Sequence, residues 1–270
     1  MKLKNMLLAL FIVTLSLVSN FTNAENIAAK KGYDIALTLE NRDNGFKDSS
    51  AKLTMRLKNG LGAEALRELD IKILEDSDEG NKTLIIFDFP VDIKGTSLLT
   101  HPKKARSDDQ WLYLPVVNRT KRISSRNKSG SFMGSEFSFE DMISKDVDDF
   151  NYNFISTEPC NNLEGVASEF QCDVIEKFPL DKHSGYSKQK LWIEQDSNKV
   201  YRIEYYDRKK SLLKVLTASN FKLYLDKYWR ANVVNMHNVQ TDKVTVLEYN
   251  SISFSSGLND NDFHRSVLGD

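Results

Sequence analysis

From residue 51 to residue 89 apolar and polar side chains alternate. Ala51, Leu53, Met55 and Leu57 are separated by Lys52, Thr54, Arg56 and Lys58, which predicts a strand with one dry face and one wet face. Asn59-Gly60 ends it as a turn. The same alternation sets Leu69, Ile71 and Ile73 against Glu68, Asp70 and Lys72. In the next segment Ile85, Phe87 and Phe89 share one face while Leu84 and Ile86 make the other face apolar as well. That strand should therefore be covered on both sides. Alternating strands joined by short polar turns predict an antiparallel meander.

Ahead of these strands, Ile27, Ala28, Tyr33, Ile35, Ala36 and Leu39 follow helical spacing from Glu25 to about Asn41, with a break at Asp43-Asn44-Gly45. Beyond them the pattern predicts a short strand at 95–100, then a dense apolar run, Trp111 to Leu114, stopped by Pro115. A basic strand follows, in which Arg119, Lys121 and Arg122 surround Ile123. Phe132 and Met133 then lie between Ser129-Gly130-Ser131 and Gly134-Ser135. Large apolar side chains on a Gly and Ser hinge suit a movable lid, and equally a plug in the end of a barrel. Ser138 can cap a helix start at 136–142, with Glu140 and Asp141 in its first turn. Strands are predicted over 148–157, 169–178, 188–195, 200–207, 212–220, 221–229, 232–237 and 243–254, and a short closing helix over 258–268. The tally is about eleven strands and two or three helices in one antiparallel run, so the expected fold class is mainly β (α+β).

Composition adds a compartment. Met1 to Ala24 has Lys2 and Lys4, an apolar run from Met6 to Val18, and a polar end at Phe21-Thr22-Asn23-Ala24, the layout of a cleavable secretory signal. No cysteine near Ala24 offers a lipid acceptor, so residues 25–270 are expected to be one exported, non-lipidated domain. In an exported chain the only two cysteines, Cys160 and Cys172, favour a disulfide over two free thiols. With 37 Lys and Arg against 38 Asp and Glu, the charge balance gives no reason to expect nucleic acid.

Some segments bear a specific resemblance. Gly95-Thr96-Ser97-Leu98-Leu99, Gln110 to Pro115, Lys121-Arg122-Ile123 and, above all, Phe132-Met133-Gly134-Ser135-Glu136-Phe137-Ser138-Phe139-Glu140-Asp141 resemble the bacterial outer-membrane lipoprotein-sorting proteins. That family is related in fold to the carrier LolA and its receptor LolB. The resemblance implies that the strands form a single unclosed antiparallel β-barrel with a helical lid around an apolar cavity, an N-terminal helix across its mouth, and acyl chains as ligand.

The candidate cavity wall is Leu53, Met55, Leu57, Leu69, Ile71, Ile73, Ile85, Phe87 and Phe89 with Trp111 and Tyr113, and the candidate lid is Phe132, Met133, Phe137 and Phe139. The competing account is an ordinary filled sandwich core. Arg119, Lys121 and Arg122 could meet a lipid headgroup, pair with Glu136 and Glu140 as a latch, or keep an edge strand from pairing with strangers. The four histidines, His101, His183, His237 and His264, are scattered, and there is no Gly-x-Ser-x-Gly elbow or phosphate-binding glycine loop. The expectation is therefore a non-enzymatic, monomeric carrier of lipoprotein acyl chains or other lipid, without cofactor or metal, that exchanges cargo with an inner-membrane exporter or an outer-membrane receptor. The alternative is a cargo-free accessory of an RND-type exporter.

Overall fold

The computed structural model describes residues 25–76, 78–104 and 108–269; the segment read as a leader lies outside them. A helix, α1, covers 25–43. Six strands follow, β1 (Asp48–Lys58), β2 (Glu64–Leu74), β3 (Lys82–Phe89), β4 (Ser97–His101), β5 (Asp109–Leu114) and β6 (Arg119–Ile123). After a long connection come β7 (Phe150–Pro159), β8 (Gln171–Pro179), β9 (Tyr186–Glu194), β10 (Val200–Asp207), β11 (Leu212–Tyr224), β12 (Tyr228–Asn238) and β13 (Lys243–Phe254). All thirteen form one antiparallel sheet in the order β6-β5-β4-β3-β2-β1-β13-β12-β11-β10-β9-β8-β7. Two meanders are thus joined side by side where β1 pairs with β13, for example Met55 with Leu247. The sheet is unclosed, with β6 and β7 as its edges.

The sheet has thirteen strands where about eleven were expected, and the elements depart from the pattern in both strands and helices. β11 runs straight through the break expected after Asn220, pairing Ser219 with Val233 and Phe221 with Ala231 on either side of it. The actual turn falls inside the strand expected at 221–229, where Leu225 and Asp226 take φ values of 50° and 52°. Tyr-Leu-Asp-Lys-Tyr has neither glycine nor asparagine, and Asp226 alone is a modest turn signal. The helices expected at 136–142 and 258–268 are also absent as such, the first being a 3-10 turn over Phe139–Met142. Two short 3-10 turns, Asp260–Phe263 and Arg265–Val267, are separated by the extended His264.

Burial explains the alternation. The inner face of β1 to β3 contributes Leu53, Met55, Leu69, Ile85 and Phe87 to the largest apolar cluster. The outer face of β3 to β5 contributes Leu84, Leu99 and, partly buried, Ile86 and Trp111, and is covered by Phe263, Leu258 and Leu268 from the C-terminal segment. β3 is therefore dry on both sides, as its pattern requires. A third cluster is formed where α1 lays Ala36, Tyr33 and Leu39 against Tyr152, Ile175, Leu191 and Ile193. Cys160 and Cys172 form a disulfide, with both residues fully buried.

Helix α1 touches the backbone of β7 at Gly32, where a Cβ would lie 2.9 Å from Asn153 C and Phe154 N. Replacing glycine by alanine inside a helix ordinarily gains up to about 1 kcal/mol. Here the added methyl meets backbone that cannot move aside, so Gly32→Ala is expected to lower stability by about 1–3 kcal/mol in urea denaturation. A stabilised variant would show that α1 does not dock on β7 in solution.

Candidate functional site

The sheet order dictates the path of residues 124–149. Because β6 and β7 are opposite edges, the chain between them has to cross from one side of the sheet to the other. It does so over the concave face. At its middle Ser131 and Ser138 form a bridge, Phe132 N–H donates to Phe137 O at 2.7 Å, and Ser135 Oγ donates to Phe132 O at 2.7 Å. Met133 (φ 51°) and Gly134 (φ 75°) make the turn. The resulting loop drives Phe132 into the sheet. Its side chain is fully buried, with ring centroids 5.7 Å from both Phe87 and Phe139.

This brings together most of the predicted wall and lid. Leu53, Met55, Leu69, Ile85, Phe87, Phe132 and Phe137 belong to one buried cluster, with Leu57, Ile71, Met133 and Phe139 packed against it. The lid segment is seated on the wall. Four predicted wall members lie elsewhere and are corrected. Trp111 faces the outer side, edge-on to His101 at 5.3 Å, because Leu112 and Leu114 take the inward positions of β5. Tyr113 shares that outer parity and donates from its hydroxyl to Asn118 Oδ1 at 3.0 Å. Phe89, at the end of β3, is 43% exposed. Ile73 is half-buried outside the cluster.

The polar latch also differs from expectation. Arg119, Lys121 and Arg122 are exposed on the edge strand β6, and Arg122 pairs with Asp109. By residue 136 the crossover has left that edge, so closeness in sequence is not closeness in space. Glu136 accepts from Asn238 Nδ2 at 2.7 Å on β12, and Glu140 accepts from Ser184 Oγ at 2.7 Å and Gly185 N–H at 2.8 Å. Burial, the largest cause, raises the Glu140 pKa despite those two donors.

The central anchor is a group not singled out from the sequence. Lys214 on β11 is buried and donates to Asp141 Oδ2 and to Glu136 O, both at 2.8 Å. Asp141 also accepts from Tyr186 Oη at 2.9 Å and from Ser138 N–H at 2.7 Å. The available signal was a lysine set in the apolar run Leu212-Leu213-Lys214-Val215-Leu216.

Open space lies beside the crossover, under α1. A cavity of about 860 Å³ has Tyr152, Ile175, Leu191, Ala218, Phe221 and Trp229 among its lining residues, a volume within the range of roughly 300–1,000 Å³ usual for small-molecule sites. A second hollow of about 400 Å³ adjoins it, sharing Lys103, Lys104, Asp108, Lys145, Asp149 and Phe150 with it and reaching Glu140, Asp141 and Gln189. None of the predicted wall residues lines either space. The first meander has its inner face filled by the crossover, whereas the second is roofed by a helix that stands off from part of it. Most charges at the rim are paired, as in Lys104–Asp146 at 3.1 Å, Lys145–Asp108 at 2.6 Å and Arg230–Asp43 at 2.6 Å. Burial raises the pKa of Glu40 and of Asp149. Among the described residues no group of three or more His, Cys, Asp or Glu could hold a metal ion, and no helix is long and apolar enough to cross a membrane.

A sequence-family model described only as an uncharacterized protein matches residues 79–270. A solved domain from Vibrio parahaemolyticus, bearing the name outer membrane lipoprotein-sorting protein, is 45% identical, with a TM-score of 0.85 over 90% of this chain and 100% of that one. The chain belongs to the outer-membrane lipoprotein-sorting protein family. A DUF1329 family protein from Desulfovibrio piger ATCC 29098 is 30% identical, with a TM-score of 0.82 over 89% of this chain and 99% of its own. A LolA superfamily protein from Nitrosomonas europaea, at 19% identity and a TM-score of 0.66 over 91% of this chain and 99% of its own, shares the fold. No curated protein matches the chain. The family-model match, residues 79–270, includes the crossover and the strands of the cavity floor.

Proposed function

We propose that this chain is a periplasmic carrier of acyl chains, those of lipoproteins or of other lipids. In this reading Met1–Ala24 is removed on export and residues 25–270 act as one lipid-binding domain. The observation that carries it is the cavity of about 860 Å³ with an apolar floor, in a member of the lipoprotein-sorting family. A 16-carbon chain exposed to water costs on the order of 12 kcal/mol, and a trough floored by Ile175, Leu191, Ala218 and Phe221 can hide most of such a chain. The carrier must also let go. The Phe132 segment is seated on the first meander, and a chain that extends beyond the cavity through the adjoining hollow, which Glu140 and Asp141 of that segment line, would contend with it for that wall, which keeps binding reversible. Neither step needs a reaction catalysed by the chain.

Native mass spectrometry of the chain purified from its own periplasm, without detergent, tests this. Bound species of lipid mass are expected, and stripped protein should take up a palmitoylated peptide but not the same peptide without its acyl group. Bare protein that ignores the acylated peptide overturns the reading, and tight association with an exporter's periplasmic domain in that case would favour a cargo-free accessory.

A further inference from the structure

Lys177 is the cation of the cavity that the carrier reading leaves unused. It lies on β8 in the same inward row as Ile175 of the floor, and its cross-strand neighbours are Tyr152 on β7 and Gln189 on β9. Gln189 lines the smaller hollow and Ile175 the larger, so the lysine sits where the two spaces meet. It is half-buried, with its Nζ 4.4 Å from the centroid of the Phe150 ring.

The other cationic side chains lining the large cavity are matched. Lys103 pairs with Glu79, Lys104 with Asp146, Lys145 with Asp108, Lys199 with Glu194 and Arg230 with Asp43, while Arg42 and Lys227 donate to the backbone carbonyls of Asp196 and Asn44. Among the described residues Lys177 has neither an ion pair nor a hydrogen bond. The carboxylates that raise its pKa are both engaged, Asp141 by Lys214 and Tyr186, and Asp149 by Asp146 N–H at 3.1 Å. An ammonium set low in an apolar trough without a counter-ion is a standing cost to folding. The Phe150 ring face offsets part of it. Burial lowers the Lys177 pKa to about 8, which leaves the group mostly charged at neutral pH.

We propose that Lys177 receives the anionic oxygen group, carboxylate or phosphate, of an amphiphile whose hydrocarbon tail lies along Ile175, Leu191 and Phe221. The inference rests on the carrier reading and narrows it to ligands with a negative charge next to the acyl chain. The head occupies the junction of the two hollows, where Lys103, Lys104 and Lys145 also line the walls, and the tail fills the larger space. Replacing a missing counter-ion inside the protein gives an affinity that an uncharged ligand of equal length cannot obtain.

Isothermal titration of the purified chain with palmitate, 1-palmitoyl lysophosphatidate and 1-palmitoylglycerol tests it. The wild type is expected to bind at least one of the anionic probes about tenfold or more tighter than palmitoylglycerol, and which of them is preferred assigns carboxylate or phosphate. Lys177→Met should bring the anionic probes down to the level of palmitoylglycerol while leaving palmitoylglycerol itself unchanged, a result that also shows the variant's cavity to be intact. Lys177→Arg should keep the preference. Equal affinity of the wild type for all three probes, or a preference that survives Lys177→Met, overturns the role of Lys177 and leaves the carrier reading standing. If none of the probes binds the wild type, the carrier reading fails and this inference with it.

Discussion

Phe132→Ala is expected to accelerate amide exchange across residues 131–139 by on the order of 10²–10³-fold, with a smaller shift in the denaturant midpoint of the sheet. Phe132 is fully buried against Phe87 and Phe139. Truncating a phenylalanine in such a position costs about 3–5 kcal/mol. Where that cost falls is the informative part. The crossover contributes no strand to the sheet, whose ladder of hydrogen bonds is complete without it. It is tied at both ends to opposite edges, so its middle can lift while the ends hold. Local opening should then absorb most of the loss. If instead the whole molecule is destabilised and exchange at 131–139 stays coupled to global unfolding, the segment is integral core, and an acyl chain has no means of displacing it.

Asp141→Ala and Lys214→Met are each expected to cost about 3–5 kcal/mol, because each leaves the other charge buried without its partner. The double variant should cost clearly less than the two single losses added together, with a coupling on the order of 1–3 kcal/mol in a denaturation cycle. The geometry requires this. The two side chains are 4% and 9% exposed and 2.8 Å apart, and Asp141 ties Tyr186 of β9 and Ser138 of the crossover to the same point. Lys214 lies 5.1 Å from the ring centroids of both Tyr186 and Tyr205, so it loses favourable ring contacts as well if it moves. Additive losses would mean that the pair does not interact in solution and that the crossover is held by Phe132 and its neighbours alone.

Much of the sheet could be read from the chain because strand formation leaves a local mark. A strand with one covered face has to place Leu53, Met55 and Leu57 on alternate positions, and a strand covered twice, as β3 is by the crossover cluster and the C-terminal segment, has to be apolar on both. The capping interaction of Ser138 with Asp141, at 2.7 Å from the Ser138 N–H, is local in the same sense. The turn at Leu225-Asp226 escaped because β11 and β12 hold it from outside, through pairs such as Tyr224 with Tyr228, and Asp226 by itself is a weak turn signal beside Leu225.

The sequence alone determined which residues alternate, the helix that precedes the first strand, the nature of the Phe132 loop as apolar and glycine-flanked, and the family. Tertiary structure decided what those side chains face. Pairing of β1 with β13 puts β6 and β7 at opposite edges, and only that arrangement forces residues 124–149 across the concave side, fills the first meander, and leaves the room beneath α1. The joining of Lys214 to Asp141 and the isolation of Lys177 follow from the same closure. Periodicity reports the environment of a residue one strand at a time, whereas a cavity is set by which distant strands become neighbours, and no local pattern encodes that choice.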